Sequence, residues 1–221
     1  MKQLSHENNF IYLCGALIAL LFSASLVPEL SGTWGEDLFS LVSLLMIVVS
    51  LKSIHTDVTW KKSLYIILLF LLIVNILGKV FHFGAISYLN LALLLFFFIG
   101  SFWRAYKQIL FEGEVDTNKI IGSLSLYLLL GLSWTIIYLM LFQLDPTAFS
   151  GLETDTWKQN FAQMAYYSFV TLTTLGYGDV LPKNHVAQFF VYMEAIVGVF
   201  YMAIIVSSLI SLRLANLKKK D

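Results

Sequence analysis

Charged side chains are scarce in this 221-residue chain. Asp, Glu, Lys and Arg make up 13% of it, whereas a soluble domain carries about a quarter. Hydrophobic residues make up 58%, and a chain with so little polar surface would not stay dispersed in water. The formal net charge is zero, which leaves no broad basic surface for nucleic acid. The composition therefore predicts a membrane protein that does not bind nucleic acid.

Cysteine is almost absent, since Cys14 is the one cysteine of the chain. An intrachain disulfide and a cysteine-based metal cluster are therefore impossible. The four histidines lie far apart in sequence, at His6, His55, His82 and His185. No Ser–His, Cys–His or paired-acid arrangement occurs within the apolar segments, so we expect neither an enzyme nor a bound cofactor.

Long apolar runs dominate the chain instead. A helix crosses the hydrocarbon core with about 20 mostly apolar residues. Six segments reach or approach this length: Phe10–Val27, Leu38–Ile54, Ser63–Gly78, Phe83–Trp103, Ile120–Leu144 and Val186–Leu212. A seventh run, Phe161–Thr174, is too short to span and predicts a re-entrant helix. We expect an all-α membrane protein with six transmembrane helices, divided into a four-helix front domain (1–103), a cytoplasmic linker (104–119) and a second domain (120–221).

The distribution of basic residues predicts the orientation, because Lys and Arg favour cytoplasmic loops. With the N-terminus inside, three basic residues lie outside, at Lys79, Lys158 and Lys183, and eleven lie inside: Lys2, Lys52, Lys61, Lys62, Arg104, Lys107, Lys119, Arg213, Lys218, Lys219 and Lys220. Both termini are therefore expected in the cytoplasm, with the protein in the plasma membrane, or the inner membrane of a bacterium. A cleaved signal peptide at the first segment is disfavoured, because its loss would leave an odd number of spans.

A short segment, TLTTLGYGDV from Thr171 to Val180, follows the half-depth run. Irregular backbone at membrane depth is tolerated only where it is buried in protein or lines a water-filled path. Gly176 and Gly178 can adopt positive φ without a clash, and an alternating backbone can turn successive carbonyls the same way. A row of carbonyl dipoles can replace the water shell of a monovalent cation. One such strand cannot surround an ion, so several chains are expected to meet around an axis.

Residues Ala165–Asp179, AYYSFVTLTTLGYGD, resemble the pore helix and selectivity filter of potassium channels. The signature of that family is a threonine pair, an aliphatic residue and then Gly-Tyr-Gly-Asp, which here spans Thr173–Asp179. Pro182 stands where the family often has a proline. The resemblance, with its flanking helices, extends over Ile120–Leu212. It implies a four-fold symmetric homotetramer that conducts K⁺ passively through a central pore.

The resemblance also implies a role for each residue of the motif. Carbonyl groups of four residues would bind K⁺, and Gly178 would close the outer end; the four are Thr174, Leu175, Gly176 and Tyr177. Support for the filter would come from Thr173, Asp179 and the aromatic pair Tyr166–Tyr167. Leu175 departs from the usual valine, and Val170 stands where some members carry a glutamate that pairs with the filter aspartate. Asp179 is therefore expected to find a partner in Tyr166 or Tyr167.

The last apolar segment is expected to line the inner cavity. Gly198 lies where the family often has a hinge glycine, although close helix packing is an equally good interpretation. Counting α-helical turns from Gly198 places Val199, Met202, Val206 and Ile210 on one face, with Val206 and Ile210 forming an apolar gate. Glu194 is the one acid inside a predicted span. Bracing of the filter is favoured for it over ion binding.

Three interpretations remain open for a pore of this kind. A potassium-selective channel is favoured, because the Gly-Tyr-Gly run supplies the full set of carbonyl sites. A weakly selective cation channel is the second. The third is a nonconducting regulatory subunit that kept a pore-like fold and has a separate partner. Membrane lipids, and a regulatory partner not identified by the sequence, are the other expected contacts.

The fourth apolar segment, Phe83–Trp103, contains no arginine or lysine. Steep voltage gating moves several such charges, each worth about 2.3 kcal/mol per 100 mV. We therefore expect the conductance in a planar bilayer to show no steep dependence on voltage across the physiological range. A steep sigmoidal dependence on voltage, of the kind that several moving charges produce, would contradict this prediction.

Overall fold

Helices form nearly all of the computed structural model, which describes residues 9–30, 34–53, 58–81, 84–111, 117–152, 156–208 and 210–211. The α-helices are α1 (Asn9–Ser25), α2 (Trp34–Ser53), α3 (Val58–Phe81), α4 (Gly84–Phe111), α5 (Thr117–Leu144), α6 (Trp157–Leu172) and α7 (His185–Phe200). A π-helix, Tyr201–Val206, continues directly from α7. A 3-10 turn at Pro146–Ala148 precedes β1 (Phe149–Ser150), which pairs antiparallel with β2 (Leu181–Pro182).

The all-α membrane class expected from the sequence is confirmed. Within the described residues, three helices are long and apolar enough to cross a membrane: Ile86–Phe111, Asn118–Leu144 and His185–Val206. Asn9–Ser25 and Leu64–Ile76 are shorter apolar helices. The half-depth run is also helical, since α6 has 16 residues, too few to cross a bilayer.

The predicted linker begins as helix, because α4 continues past Trp103 to Phe111. Several sequence-based expectations fall outside the described residues. These are the middle of the linker (112–116), His82, and the basic tail with Arg213, Lys218, Lys219 and Lys220.

Helix α5 is the centre of the packing, because α1, α4, α6 and α7 all contact it. Its side chains Leu126, Leu132 and Tyr138 are fully buried. The Asn118 side chain accepts a hydrogen bond from the Phe10 amide at 3.1 Å, which ties the start of α1 to the start of α5. Lipid is as apolar as leucine, so close van der Waals packing holds these helices together more than the hydrophobic effect does.

A small residue, Gly131, lets α5 and α6 pack closely together. A Cβ on Gly131 would collide with the ring of Phe169. The Gly131 carbonyl accepts a hydrogen bond from the Ser168 hydroxyl at 2.9 Å. Close approach of helix backbones at a small residue is a common device in membrane proteins, and here it fixes α6 against the central helix.

Helices α1 and α2 also contact α6, and the contacts of α2 are made by aromatic rings and one ion pair. The ring of Phe39 in α2 lies 4.7 Å from that of Phe161 and 6.3 Å from that of Trp157. The Lys158 ammonium is 3.6 Å from the Glu36 carboxylate and 3.3 Å from the Ser40 hydroxyl. The half-depth helix is thus held by the front part of the chain as well as by α5.

A polar corner joins the end of α5 to the start of α7. Asp145 accepts hydrogen bonds from the amide and the hydroxyl of Thr147, and from the Asn184 side-chain amide at 2.9 Å. The Asn184 side-chain oxygen accepts from the Ala187 amide at 2.8 Å, which caps α7. These three hydrogen bonds lower the pKa of the Asp145 carboxyl below its ordinary value. The corner therefore fixes where the two long helices emerge.

Replacing Asn184 by alanine should lower the stability of the detergent-solubilised protein by about 1 kcal/mol, because a helix cap is lost. Thr156→Ala is the matched control, since Thr156 precedes α6 without forming a side-chain cap. A smaller loss for Asn184→Ala than for Thr156→Ala in thermal unfolding would contradict the importance of this corner.

The same corner gives this prediction a pH dependence. The folded state binds a proton at Asp145 more weakly than the unfolded chain does, because its pKa is lowered. Its stabilisation is therefore complete above the ordinary pKa and is lost as the pH falls through the lowered pKa. Asn184→Ala should flatten the fall in melting temperature at acidic pH, whereas Thr156→Ala should leave the slope unchanged.

Candidate functional site

The segment after α6, Thr173–Asp179, is called the filter loop below. Its first residues turn back onto the end of α6. The Thr173 amide donates to the Phe169 carbonyl at 3.0 Å and the Thr174 amide to the Thr171 carbonyl at 3.0 Å. The Leu175 amide donates to the Val170 carbonyl at 2.9 Å. The filter loop thus starts from the C-terminal end of a helix, whose negative dipole favours a cation nearby.

The backbone of the filter loop alternates in hand. Thr174, Gly176 and Gly178 have positive φ angles of 59°, 58° and 80°, and the intervening residues do not. The alternation expected from the glycine spacing is therefore present. Thr174 is the one non-glycine residue with positive φ in the described residues. Such backbone costs about 1–3 kcal/mol and is concentrated at functional sites.

A single chain leaves much of the filter loop uncovered. Leu175 is 55% exposed and Tyr177 is 66% exposed. A Cβ added to Gly176 or Gly178 would meet no atom within 4 Å. Within the described residues, no group of three or more His, Cys, Asp or Glu side chains could hold a metal ion. Besides the Asp179 carboxylate at its outer end, the loop therefore offers a cation backbone and hydroxyl oxygens.

Tyr166 of α6 packs against the filter loop. Its ring stacks on that of Tyr177, with centroids 6.3 Å apart and planes 8° from parallel. The Tyr166 side chain interacts with the Asp179 carboxylate, so Tyr166 stays the predicted partner of Asp179 in place of the missing glutamate. The Asp179 side chain additionally accepts from the Val180 amide at 3.1 Å.

Tyr167 lies elsewhere, so the predicted aromatic pair is split. It is buried, with its ring 5.3 Å from that of Tyr138 and 5.9 Å from that of Phe149. Adjacent residues on a helix point about 100° apart, and here one faces the filter loop while the other faces α5. Within a single chain, Tyr167 therefore packs the back of α6 and does not contact the loop directly.

Glu194 is fully buried and joins three helices. Its carboxyl accepts from the Tyr138 hydroxyl of α5 and lies 2.5 Å from the Ser168 hydroxyl of α6. We call Glu194, Ser168 and Tyr138 the Glu194 cluster. Its two hydrogen-bonding partners therefore come from α5 and α6, and its role as a brace for the filter loop stays a prediction. Tyr138 is 56 positions away in sequence, and no sequence pattern connects the two.

The hydrogens of the Glu194 cluster can be counted. The Ser168 oxygen lies near two acceptors, the Gly131 carbonyl at 2.9 Å and Glu194 at 2.5 Å, yet a hydroxyl carries one hydrogen. The count is satisfied when Glu194 carries a proton and donates it to Ser168, which then donates to Gly131. A neutral carboxyl is also much cheaper than a charge inside a membrane protein.

Gly198 sits directly against the end of α6. A Cβ there would collide with the Leu172 carbonyl, so close packing is evident at this glycine, and its role as a hinge stays a prediction. Beside it lies a groove of about 790 Å³, lined by Thr173, Thr174, Val199, Met202 and Val206 among others. Three of the four residues on the predicted cavity face thus lie below the filter loop. Ile210 does not line the groove and is 56% exposed.

The second half of the chain matches a known family. Residues 124–213 match the model of a family described as Ion channel, a stretch that contains α6, the filter loop and α7. No curated protein and no solved structure matches the chain. The match, together with the apolar helices, supports a membrane protein with an ion channel domain. They also confirm the expectation that the chain is not an enzyme.

Glu194→Ala should destabilise the detergent-solubilised protein by about 2–4 kcal/mol, because the buried Tyr138 hydroxyl loses its acceptor, Ser168 loses one of its two partners and a cavity is left. Glu194→Gln should stay close to wild type, since an amide can donate to Ser168 and accept from Tyr138 as a neutral acid does. Glu36→Ala is the control, because its partly exposed pair with Lys158 is worth at most about 1 kcal/mol. Equal losses for the Gln and Ala variants at position 194 would contradict the neutral cluster.

Proposed function

We propose that this protein is a potassium-selective channel in which four identical chains surround one pore. K⁺ would pass along a single file of sites made by the carbonyls of Thr174, Leu175, Gly176 and Tyr177, with the Thr174 hydroxyl at the inner end. The ion is the permeant species and not a resident cofactor. The observation that carries the proposal is the alternation of backbone hand at Thr174, Gly176 and Gly178, directly after the end of α6.

Alternation matters because of what it does to peptide dipoles. In an ordinary strand, successive carbonyls point to opposite sides. Changing the hand at every second residue brings them to the same side, so that one face of the backbone carries only oxygens. Such a face can replace the hydration shell of K⁺. The positive φ of Thr174, which has a side chain and is disfavoured there, is accounted for by this function.

Exposed apolar surface supports the assembly. In the most apolar 18-residue stretch of His185–Val206, 17% is buried inside the chain, whereas in that of Asn118–Leu144 the buried share is 56%. Val199, Phe200 and Met202 are each more than half exposed, next to an uncovered filter loop. In a four-fold assembly the filter loops would meet on the axis and the neighbouring inner helices would cover this surface.

The filter loop would lie near the outer surface of the plasma membrane, with six spans and both termini in the cytoplasm. This orientation is supported by the excess of Lys and Arg on the inner side of the predicted spans. Lys158 and Lys183 would then be outside. The front helices, which touch α6 through Phe39 and Glu36, would seat the pore in lipid.

Purified protein in liposomes should pass K⁺ at least about a hundredfold faster than Na⁺, because a complete set of carbonyl sites selects for the larger ion. Gly176→Ala should abolish this flux, since a side chain at positive φ strains the loop by about 1–3 kcal/mol. Gly15→Ala is the matched control, because Gly15 is a helical residue whose added Cβ meets no atom within 4 Å.

The outcomes separate the alternatives. Comparable K⁺ and Na⁺ fluxes in the wild type would favour the weakly selective cation channel. Absence of any flux, together with co-purification of an obligate partner, would favour the nonconducting subunit. If Gly15→Ala loses as much flux as Gly176→Ala, the loss in Gly176→Ala comes from impaired folding and not from a change in the filter loop.

A further inference from the structure

The inner helix changes its geometry just below Gly198. Residues Tyr201–Val206 form a π-helix, which takes one more residue per turn than an α-helix. Each α-helical residue advances by about 100°, so the residues after the π-helix are rotated by about one position from where continuous α-helix would place them. The orientation assumed for Val206 and Ile210 in continuous α-helix is therefore taken by Ser207 and Ser211.

Burial agrees with this rotation at its first position. Ile205 and Val206 are partly buried and pack against the hydrophobic core, whereas Ser207 is exposed. Further along, Ser208, Ile210 and Ser211 are all exposed. Val206 still borders the groove, but it is turned partly into the protein. The expectation that Val206 and Ile210 form the face below Met202 thus requires continuous α-helix, which the structure does not have here.

The upper end of the π-helix is held in place. The Tyr201 ring is buried, and its hydroxyl donates to the Ser123 carbonyl of α5 at 2.5 Å. The ring also packs on that of Tyr127, with centroids 5.2 Å apart. Gly198 is pressed against Leu172 one turn earlier. Any change between π- and α-helix must therefore rotate the part after Val206, because the part before it is fixed.

The sequence after the π-helix suits such a rotation. In VSSLIS, from Val206 to Ser211, each apolar residue of the predicted gate is followed directly by a serine. A rotation by one residue therefore exchanges an apolar pair, Val206 and Ile210, for a hydroxyl pair, Ser207 and Ser211. Hydroxyl-lined openings stay wet, whereas narrow apolar rings expel water and stop ions.

We propose that Tyr201–Val206 is a register switch. In its π form the inner helix presents Ser207 and Ser211 to the pore and the pore conducts. In its α form Val206 and Ile210 take their places and close it. The proposal rests on the proposed function, because only an assembled pore gives the inner helices an axis to face.

Two double variants test the switch in the liposome flux assay. Ser207→Val with Ser211→Val makes both registers apolar, so K⁺ flux should fall by about tenfold or more. Val206→Ser with Ile210→Ser makes both registers polar, so a wild-type pore with a closed fraction should become more conductive. Ser208→Val is the matched control, since this neighbouring exposed serine belongs to neither register, and its flux should equal that of wild type.

Cysteine substitutions show directly which residues of the inner helix face the pore, because a thiol that faces the pore binds Cd²⁺ and blocks the flux. With Cys14, the one native cysteine, replaced by alanine, Ser207→Cys should be blocked by cytoplasmic Cd²⁺ during conduction, and Val206→Cys should not. The reverse order, or equal block at the two positions, would overturn the switch. Equal flux loss in Ser208→Val and in the Ser207/Ser211 variant would also overturn it.

The same experiments distinguish this proposal from the proposed function. A wild-type protein that passes no K⁺ contradicts the proposed function, and the switch falls with it. A wild-type protein that conducts K⁺ selectively, with fluxes indifferent to all of the substitutions at Val206, Ser207, Ile210 and Ser211, overturns the switch alone. An unchanged K⁺/Na⁺ ratio in each variant shows that the filter loop and the assembly are intact.

Discussion

Backbone polar groups at membrane depth must find partners, and this constraint governs the filter loop. Water is absent from the hydrocarbon core, so irregular backbone there must be buried in protein or line a wet path. The loop from Thr173 to Asp179 meets its first hydrogen-bonding needs at the end of α6, where four of its amides donate to α6 carbonyls. In the proposed pore, its own carbonyls would then be free to bind an ion.

The position of the filter loop depends on α6, and contacts from three other helices hold α6 in place. Phe39 and Glu36 hold its beginning from α2. Gly131 admits it closely to α5, and the Glu194 cluster fastens it to α5 and α7 together. Leu172, at its end, meets Gly198 of α7. A displacement of α7 would therefore reach the filter loop through two contacts with α6, the Glu194 cluster and the packing of Gly198 on Leu172.

The parts of the fold that depend on local pattern were predictable from the sequence. Apolar runs predict the helices, the short run before Thr174 predicts a helix that cannot span, and the glycines at 176 and 178 predict alternating backbone. An interaction of Asp179 with Tyr166 or Tyr167 was also predicted, from the resemblance to potassium channels. Each of these features is set by residues close together in the chain, so periodicity and spacing carry the information.

Other features depend on contacts between distant residues and were not predictable in this way. Tyr138 and Ser168 meet Glu194 only because three helices cross at one depth. The π-helix after Phe200 begins at Tyr201, whose hydroxyl donates to the distant Ser123 carbonyl. Helical counting from Gly198 had no means to include the extra residue. The Asp145–Asn184 corner likewise joins positions 39 apart.

The central claim is that carbonyl oxygens from four copies of the filter loop bind dehydrated K⁺. The most direct measurement is an electron-microscopy or crystal structure of the purified assembly in K⁺, repeated in Tl⁺, which scatters more strongly. The account predicts a four-fold assembly with a single file of ions on the axis at the level of Thr174 to Tyr177, and stronger peaks in Tl⁺. A monomer or dimer, or an axis without ions beside these carbonyls, would contradict it.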